Sequence, residues 1–543
     1  MSINGELPAL AAAVLQPGFV GTTAPDWVRR WLAEGLGGVA LFARNVETPA
    51  QVAALTAQLR AERPEVIVAI DEEAGDVTRF ESRHGSSRPG NLALGAIDDP
   101  ELTEAVARDL GGDLAGAGIT LDYAPDTDVN SNPDNPIIGV RAFGADPALV
   151  ARHSAAFVRG LQEAGVAACA KHFPGHGDTA VDSHQTVPVI DRGRAELEAC
   201  ELVPFRAAID AGAQAVMTGH LLVPAYDRTL PATLSPAVLT GLLRSELGFD
   251  GLIVTDGIEM KGVRRAYGLA GVTVRALAAG ADAICVGGDH ADEQTAMRLR
   301  DAICAAVRSG ELSEERLRDA VRRVRRLADW TLRTQTGSGA RAVADRAIAV
   351  RHRPGGDQPG GPRDHGAEDG PEAGPPQASE VGLAAARRAV KVTVAGEADP
   401  GLPLNRPAHV VEFAPPRNIA MGAETPWGVG GPLDGLLPGT TSLRLSADDL
   451  AGIPDPSAPV LSGATDRALV LVVRDLHRHP WVAEAVAATL AVRPDAVVVE
   501  MGLPEAVVGA VHVATYGATR ACGLAAAEVL AGTGVPAPQP VAA

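Results

Sequence analysis

"GLIVTDGIEM", residues 251–260, drives three large apolar residues straight into a carboxylate and then a glycine. Continuous rather than alternating hydrophobicity is what a parallel strand buried on both faces presents. The same design recurs through the first 335 residues, in "AAVLQPGF" (12–19), "GGVALFA" (37–43), "VIVAIDEE" (66–73), "ITLDYAPDTDV" (119–129), "VAACAKHFPG" (166–175), "AQAVMTGHL" (213–221) and "ADAICVGG" (281–288). Helical segments lie between several of these runs, at 48–62, 147–165 and 195–212. Eight such runs, mostly joined by helices, predict a (β/α)8 TIM-type barrel, and the length suits one. The rival is a doubly wound open sheet. No G-x-G-x-x-G follows an early strand, which weighs against its dinucleotide-binding version.

Three parts are expected. Residues 1–335 form the barrel. Residues 336–382 are rich in proline, glycine and charge, with almost nothing to bury, and read as a disordered linker. From 383 to 543 the α/β patterning returns in "RALVLVVRDL", "AVAATLAV", "DAVVVEMG" and "GLAAAEVLAG", a second and smaller α/β domain. Within it "HVATYGATRACG" (512–523) reads as a site-lining stretch or as a structural turn.

At 543 residues the chain is too long for one domain. A net charge of −19 excludes the basic face that nucleic acid requires. The five cysteines are scattered without metal-ligand spacing and read as free thiols in a reducing compartment. The first nineteen residues have no basic stretch before their apolar run, so no signal peptide is expected. No apolar run approaches membrane-span length, and a cytoplasmic location is expected.

Active sites of such barrels gather at the carboxyl ends of the strands. The polar residues ending the runs are Asp71, Asp122 to Asp128, Lys171, His172, Thr218, His220, Asp256 and Asp289. Acids, histidines and cationic anchors converging there suit a polyhydroxylated ligand. Asp256 is the sharpest candidate, since a solvated loop acid would not need so apolar an approach. A carboxylate fixed there can attack an electrophilic carbon or stabilise a cation. The stretch "KHFPGHGDTAVDSH" (171–184) is broken by Pro174, Gly175 and Gly177 into a long loop after the fifth strand. Its Asp182 and His184 are spaced so that the carboxylate can hold the imidazole's tautomer, the logic of acid–base catalysis. A metal site built from histidines 172, 176 and 184 with Asp178 and Asp182 is the competing reading, but the spacing matches no standard zinc pattern.

Taken together, "KHFPGHGDTAVDSH", "IVTDGIEM" (253–260), "AIDEEAGDVTR" (69–79) and "NPIIGVRAFG" (135–144) resemble the family-three glycoside hydrolases, in the bacterial β-N-acetylhexosaminidase branch. The end of the chain, "ATYGATRACGLAAAEVLAG", resembles the α/β sandwich of its two-domain members. The resemblance implies a retaining mechanism with Asp256 as nucleophile and His184, paired with Asp182, as general acid/base. It implies that Asp71, Arg79, Arg141, Lys171 and His172 hold N-acetylglucosamine in the non-reducing-end subsite. No cofactor and no metal are implied. Ala74, Asp76 and Gly257 depart from the family's usual residues and bear on the fit around the sugar.

Substrates suited to the branch are cell-wall fragments, chitobiose-like disaccharides and glycosylated metabolites. A histidine in place of a carboxylate base also admits phosphate as the acceptor. Like charges about 4 Å apart at an effective dielectric of 20 repel by roughly 4 kcal/mol, and a neutral imidazole removes that barrier. A β-N-acetylglucosaminide phosphorylase is therefore the alternative to a hydrolase. A catalytically inactive sugar-binding protein is a further one, disfavoured by the intact Asp256, Asp182 and His184. Oligomeric state is not legible.

Overall fold

The computed structural model describes residues 3–179, 187–336, 379–395, 401–416, 419–422 and 425–533. Eight short strands, one from each apolar run, form the first unit: β1 (Leu15–Pro17), β2 (Gly38–Leu41), β3 (Ile67–Ile70), β4 (Leu121–Asp122), β5 (Ala167–Phe173), β6 (Ala215–Thr218), β7 (Leu252–Thr255) and β8 (Ile284–Val286). β2 to β7 pair in chain order, all in parallel. A bridge between Val254 and Ala283 joins β7 to β8, and β8 pairs with β1 in parallel. The result is a (β/α)8 barrel.

The unbroken apolar runs have a direct cause. Val39, Leu41, Val68 and Ile70 face outward into the layer shared with the helices. Their neighbours Ala40, Ile67 and Ala69 face inward, with Ala167, Cys169, Ala215, Met217 and Ala283. Both faces are dry, so no position along a strand favours a polar residue. Helices form at Pro49–Glu62 and Pro147–Glu163, each opening with proline at its first turn behind a capping Thr48 or Asp146. The segment 195–212 departs from the single helix expected. It splits into Arg194–Ala199 and Leu202–Asp210. Pro204 lacks an N–H and would clash with the carbonyl four residues earlier, at Cys200, where the helix stops.

The barrel's last helix is Glu314–Thr336, and description resumes at Ser379. Most of the expected linker, 337–378, lies outside the described residues. The second unit holds a six-stranded sheet of β9 (Lys391–Val394), β10 (Ala408–Phe413), β11 (Thr441–Leu445), β12 (Ala468–Val473), β13 (Val497–Glu500) and β14 (Val511–Ala514). Its order is β11-β10-β12-β13-β14-β9, parallel except for β9. One face, with Val410, Val470, Val499 and Val513, packs under helices that include Arg520–Ala531. The other, with Val411, Leu471 and Val498, packs under Pro480–Val492. This is an α/β sandwich.

The two units meet beside the barrel mouth. Val77 and Val140 of the barrel share an apolar cluster with Met421 and Leu503 of the sandwich. Asp76 pairs with Arg474, and its other oxygen accepts the Ala518 N–H at 2.8 Å. The stretch 512–523 runs from the end of β14 through a short connection into the helix Arg520–Ala531, and in that connection the Ala518 backbone meets an acid of the other unit. Asp76 thus faces the sandwich.

Glu500, at the end of β13, accepts the N–H groups of Asp475, Leu476 and Gly502. Burial, then the charge of Asp475, pushes its pKa up to about 8. The folded chain thus keeps a proton that the unfolded chain releases near the ordinary 4.5. Stability is expected to fall as pH rises from about 4.5 to about 8 and to level off above. Melting temperatures of wild type and Glu500→Gln across that range check this: the fall should be smaller in the variant.

Candidate active site

The site is built at the carboxyl ends of β3, β4, β5 and β7. The acids "DEE" follow β3, and each takes a different job. Asp71, half-buried at the mouth, is gripped by Lys171 and receives Arg79 at 3.0 Å. Glu72 turns into the protein and accepts from the Thr78 hydroxyl and the Arg79 and Phe80 N–H groups. Burial pushes its carboxyl up to about 7. Glu73 holds Arg141 by two parallel hydrogen bonds of 2.8 and 2.9 Å and Lys171 at 2.6 Å. Burial works against the charged form of Asp71 and Glu73, but the cations outweigh it and hold both below the usual carboxylate range. Lys171 is held above its ordinary value by the same two acids, against its burial.

Beyond β4, Asp128 is a hub. Its carboxylate accepts from the His172 ring Nδ1 at 2.8 Å and from the His172 and His176 N–H groups at 3.2 and 2.7 Å. These bonds fix the Lys171–His172 peptide, which is cis, and the start of the loop after β5. Asp126 lies 3.5 Å from Arg141, and burial and then Asp128 raise it well above its usual range. Asp122 is buried behind them and accepts the Glu72 N–H.

The root of the 171–184 loop is clamped. Gly177 presses against the chain after β4; a Cβ there would lie 1.6 Å from the Val129 carbonyl oxygen. The Asn135 side chain donates to the His176 and Gly177 carbonyls at 2.9 and 3.0 Å. Arg192 holds Asp178 at 2.6 Å on the returning side. Asp182 and His184 lie outside the described residues.

Asp256 follows β7 and is half-buried. Its N–H donates to Thr218, and its carboxylate accepts the Gly257 N–H at 2.7 Å. His220 donates from Nε2 to the Gly257 carbonyl at 3.0 Å, which fixes the residue after the acid. Thr218 and His220 thus stand behind Asp256, joined through Thr233. Asp71 and Asp256 both bear on the Cys169 and Cys285 thiols inside the barrel, which burial pushes up first. Arg141 Nη2 lies 3.4 Å from His172 Nε2, so the five residues expected around a sugar, Asp71, Arg79, Arg141, Lys171 and His172, are joined through Glu73 and this contact into one network at the same end as Asp256. Sequence reasoning missed Glu73, which joins both cations, and Asn135, which clamps the loop. Their signals, the second of two glutamates and an asparagine before a proline, are present in the sequence, but nothing local singles them out.

With this geometry in place, comparison with known proteins is direct. The model of the glycosyl hydrolase family 3 N-terminal domain matches residues 16–327. The chain belongs to that family. Its barrel is the family's N-terminal domain, and with the sandwich the chain is two-domain in build. Among similar proteins, beta-hexosaminidase A of Pseudoalteromonas piscicida is 34% identical over 331 residues, 56% of this chain and 55% of that protein. The chain thus spans about half the length of that relative. The beta-hexosaminidase of Nitrosomonas eutropha is 39% identical over 284 residues, 50% of this chain and 80% of its own. The structure of a family 3 β-N-acetylglucosaminidase from Paenibacillus sp. strain FPU-7 aligns with a TM-score of 0.80 at 32% identity, covering 99% of this chain and 98% of its own. No helix among the described residues is long and apolar enough to cross a membrane.

Asp126, Asp128 and His172 place one ligand atom each within 4.8 Å of one another, a spacing a metal ion could use. Arg141 beside Asp126 and the three N–H donors on Asp128 put cations and protons where an ion would have to stand. Turnover after dialysis against EDTA is expected to equal turnover before it. A loss restored by a divalent ion would make this trio a metal centre.

Proposed function

We propose that the chain is a retaining β-N-acetylhexosaminidase that removes terminal β-N-acetylglucosamine from cell-wall fragments, chitobiose-like sugars or a glycosylated metabolite. The observation that carries this reading is the single network of Asp71, Arg79, Arg141, Lys171 and His172 at the same mouth as Asp256. In it the Asp71 carboxylate accepts from sugar hydroxyls, and Lys171 keeps a third N–H for a sugar oxygen. Arg141 and His172, locked by Glu73 and Asp128, meet the ring without reorganising, so less entropy is lost on binding.

Asp256 attacks the anomeric carbon while His184 protonates the departing oxygen, giving a glycosyl-enzyme. His184 then takes a proton from water as water attacks and frees Asp256. The usual retaining enzyme assigns the proton transfers to a second carboxylate. Here the Asp182–His184 pair supplies them, three and five residues past Thr179, whose hydroxyl accepts from the Asn135 side chain at 3.2 Å. The likeness to the Paenibacillus β-N-acetylglucosaminidase along nearly the whole chain supports the sugar assignment.

The test is turnover of aryl β-N-acetylglucosaminides with and without phosphate, products identified, in wild type and His184→Ala. Free N-acetylglucosamine at a rate indifferent to phosphate is expected. The variant should lose far more rate, about 10²-fold or more, on poor leaving groups than on p-nitrophenol. Equal loss on both would remove His184 from proton transfer. A rate that rises with phosphate, yielding the sugar 1-phosphate, would make the protein a phosphorylase.

A further inference from the structure

The second sheet changes its direction of winding between β10 and β12. β11 was added on one side of β10, and β12 to β14 on the other. In open parallel sheets the crevice outside the carboxyl ends of two such strands is the place where ligands bind. Here the crevice is walled by Pro415 and Pro416 beyond β10 and by Arg474, Asp475, Arg478 and His479 beyond β12. The barrel stretch 135–140 closes its far side. The recess holds about 50 Å³, room for a few waters or one phosphate-sized group.

The polar groups on this wall are unevenly satisfied. Arg474 is committed to Asp76, and one Asp475 oxygen accepts the Leu503 N–H at 2.8 Å. Arg478 is only 20% exposed, and its nearest acid is Asp475 at 3.8 Å. Among the described residues its guanidinium makes no hydrogen bond, and neither does the His479 ring. Burial, ahead of any neighbour, holds His479 below its ordinary pKa, so it meets the recess as a neutral donor and acceptor. The Arg474 charge is met by Asp76, while the Arg478 guanidinium has only the Asp475 carboxylate, 3.8 Å away, beside it. Five planar N–H donors with no acceptor match the fork of a carboxylate or phosphate.

The geometry points to a binding site for a small oxyanion, a phosphate or a carboxylate, seated between Arg478 and His479 at the switch point of the second sheet. Arg478 is its anchor. Its barrel wall is the stretch whose two ends serve the sugar site. Asn135 clamps the His176–Gly177 turn, and Arg141 holds Glu73. The ligand therefore reaches the stretch that positions Arg141 without entering the sugar network.

The test uses the full chain and inorganic phosphate, titrated by calorimetry in the presence of saturating N-acetylglucosamine. Saturable binding of one phosphate is expected, weakened at least about tenfold in Arg478→Ala and partly recovered in Arg478→Lys. Absence of saturable binding, or an affinity unchanged in Arg478→Ala, would overturn the proposal. So would binding that appears only when the sugar is omitted.

A second measurement separates the two sources of such an anion. It compares kcat/KM for a p-carboxyphenyl and a phenyl N-acetylglucosaminide in wild type and Arg478→Ala. A loss confined to the carboxylated substrate identifies the substrate's own acidic arm. Unchanged values beside a lost phosphate affinity identify a free anion. This comparison rests on the sugar reading above, whereas the loss of phosphate affinity in Arg478→Ala does not, so failure of the one is distinguishable from failure of the other.

Discussion

Asp256→Ala is expected to lower kcat for an aryl β-N-acetylglucosaminide by at least about 10³-fold while the protein stays folded. The fold should survive because the backbone, not the side chain, holds the strand end. The Asp256 N–H donates to Thr218, and Gly257 is fixed through its own carbonyl by His220. The loss includes the Gly257 N–H contact, at a half-buried position that water can reach. The rate falls because the acids of the sugar network are already engaged by its cations and His172 and are not placed as a second nucleophile. Asp71 and Glu73 are held by Lys171, Arg79 and Arg141, and Asp128 by His172. Azide added to the variant should restore aglycone release and give the α-configured glycosyl azide, since it attacks from the face the carboxylate vacated. Normal turnover without azide would remove Asp256 from the nucleophile's role.

The second large effect is expected at the seam. Asp76→Ala removes the acid that pairs with Arg474, whose side chain is 8% exposed, packs over Trp427 and touches Met421 Sδ at 3.4 Å. It also leaves the Ala518 N–H without its carboxylate acceptor. Removing one partner of a buried ion pair costs about 3–5 kcal/mol, most of it the unpaired charge left behind. Urea unfolding should show a loss of that size. KM should rise as well, because Arg79, beside Asp71, also donates to the Ala420 carbonyl next to Met421. Asp76→Ala combined with Arg474→Met should regain much of the stability, since no charge is then stranded. A double variant as unstable as the single one would place the cost on the Ala518 contact instead.

The barrel was legible because its strands are dry on both faces. Each appears as an unbroken apolar run ending in the residue that reaches the mouth. β10 and β11 carry no such mark. β10 includes His409 and Glu412, and β11, at the sheet edge, is mostly exposed, so neither reads as a buried run. The single helix expected over 195–212 failed on one residue, Pro204. In the site, Asp71, Lys171, His172 and Asp256 could be named as strand ends. Glu73 could not, because three acids in a row do not declare which one turns toward the cations. Asp76 was read against the sugar because only its neighbours in sequence were visible. The partner that explains it, Arg474, is 398 residues away.

The apolar cluster of Val77, Val140, Met421 and Leu503 has a practical consequence. A chain cut between the two units would not give a smaller working enzyme of the same kind. Each half would carry a greasy patch to the surface, one with a bare carboxylate and the other with a bare guanidinium beside it. Such halves would tend to cling to each other or to copies of themselves during expression. Anyone shortening this protein for crystals or for use should first make the seam soluble, by polar replacements at Val77 and Val140, and only then remove the sandwich.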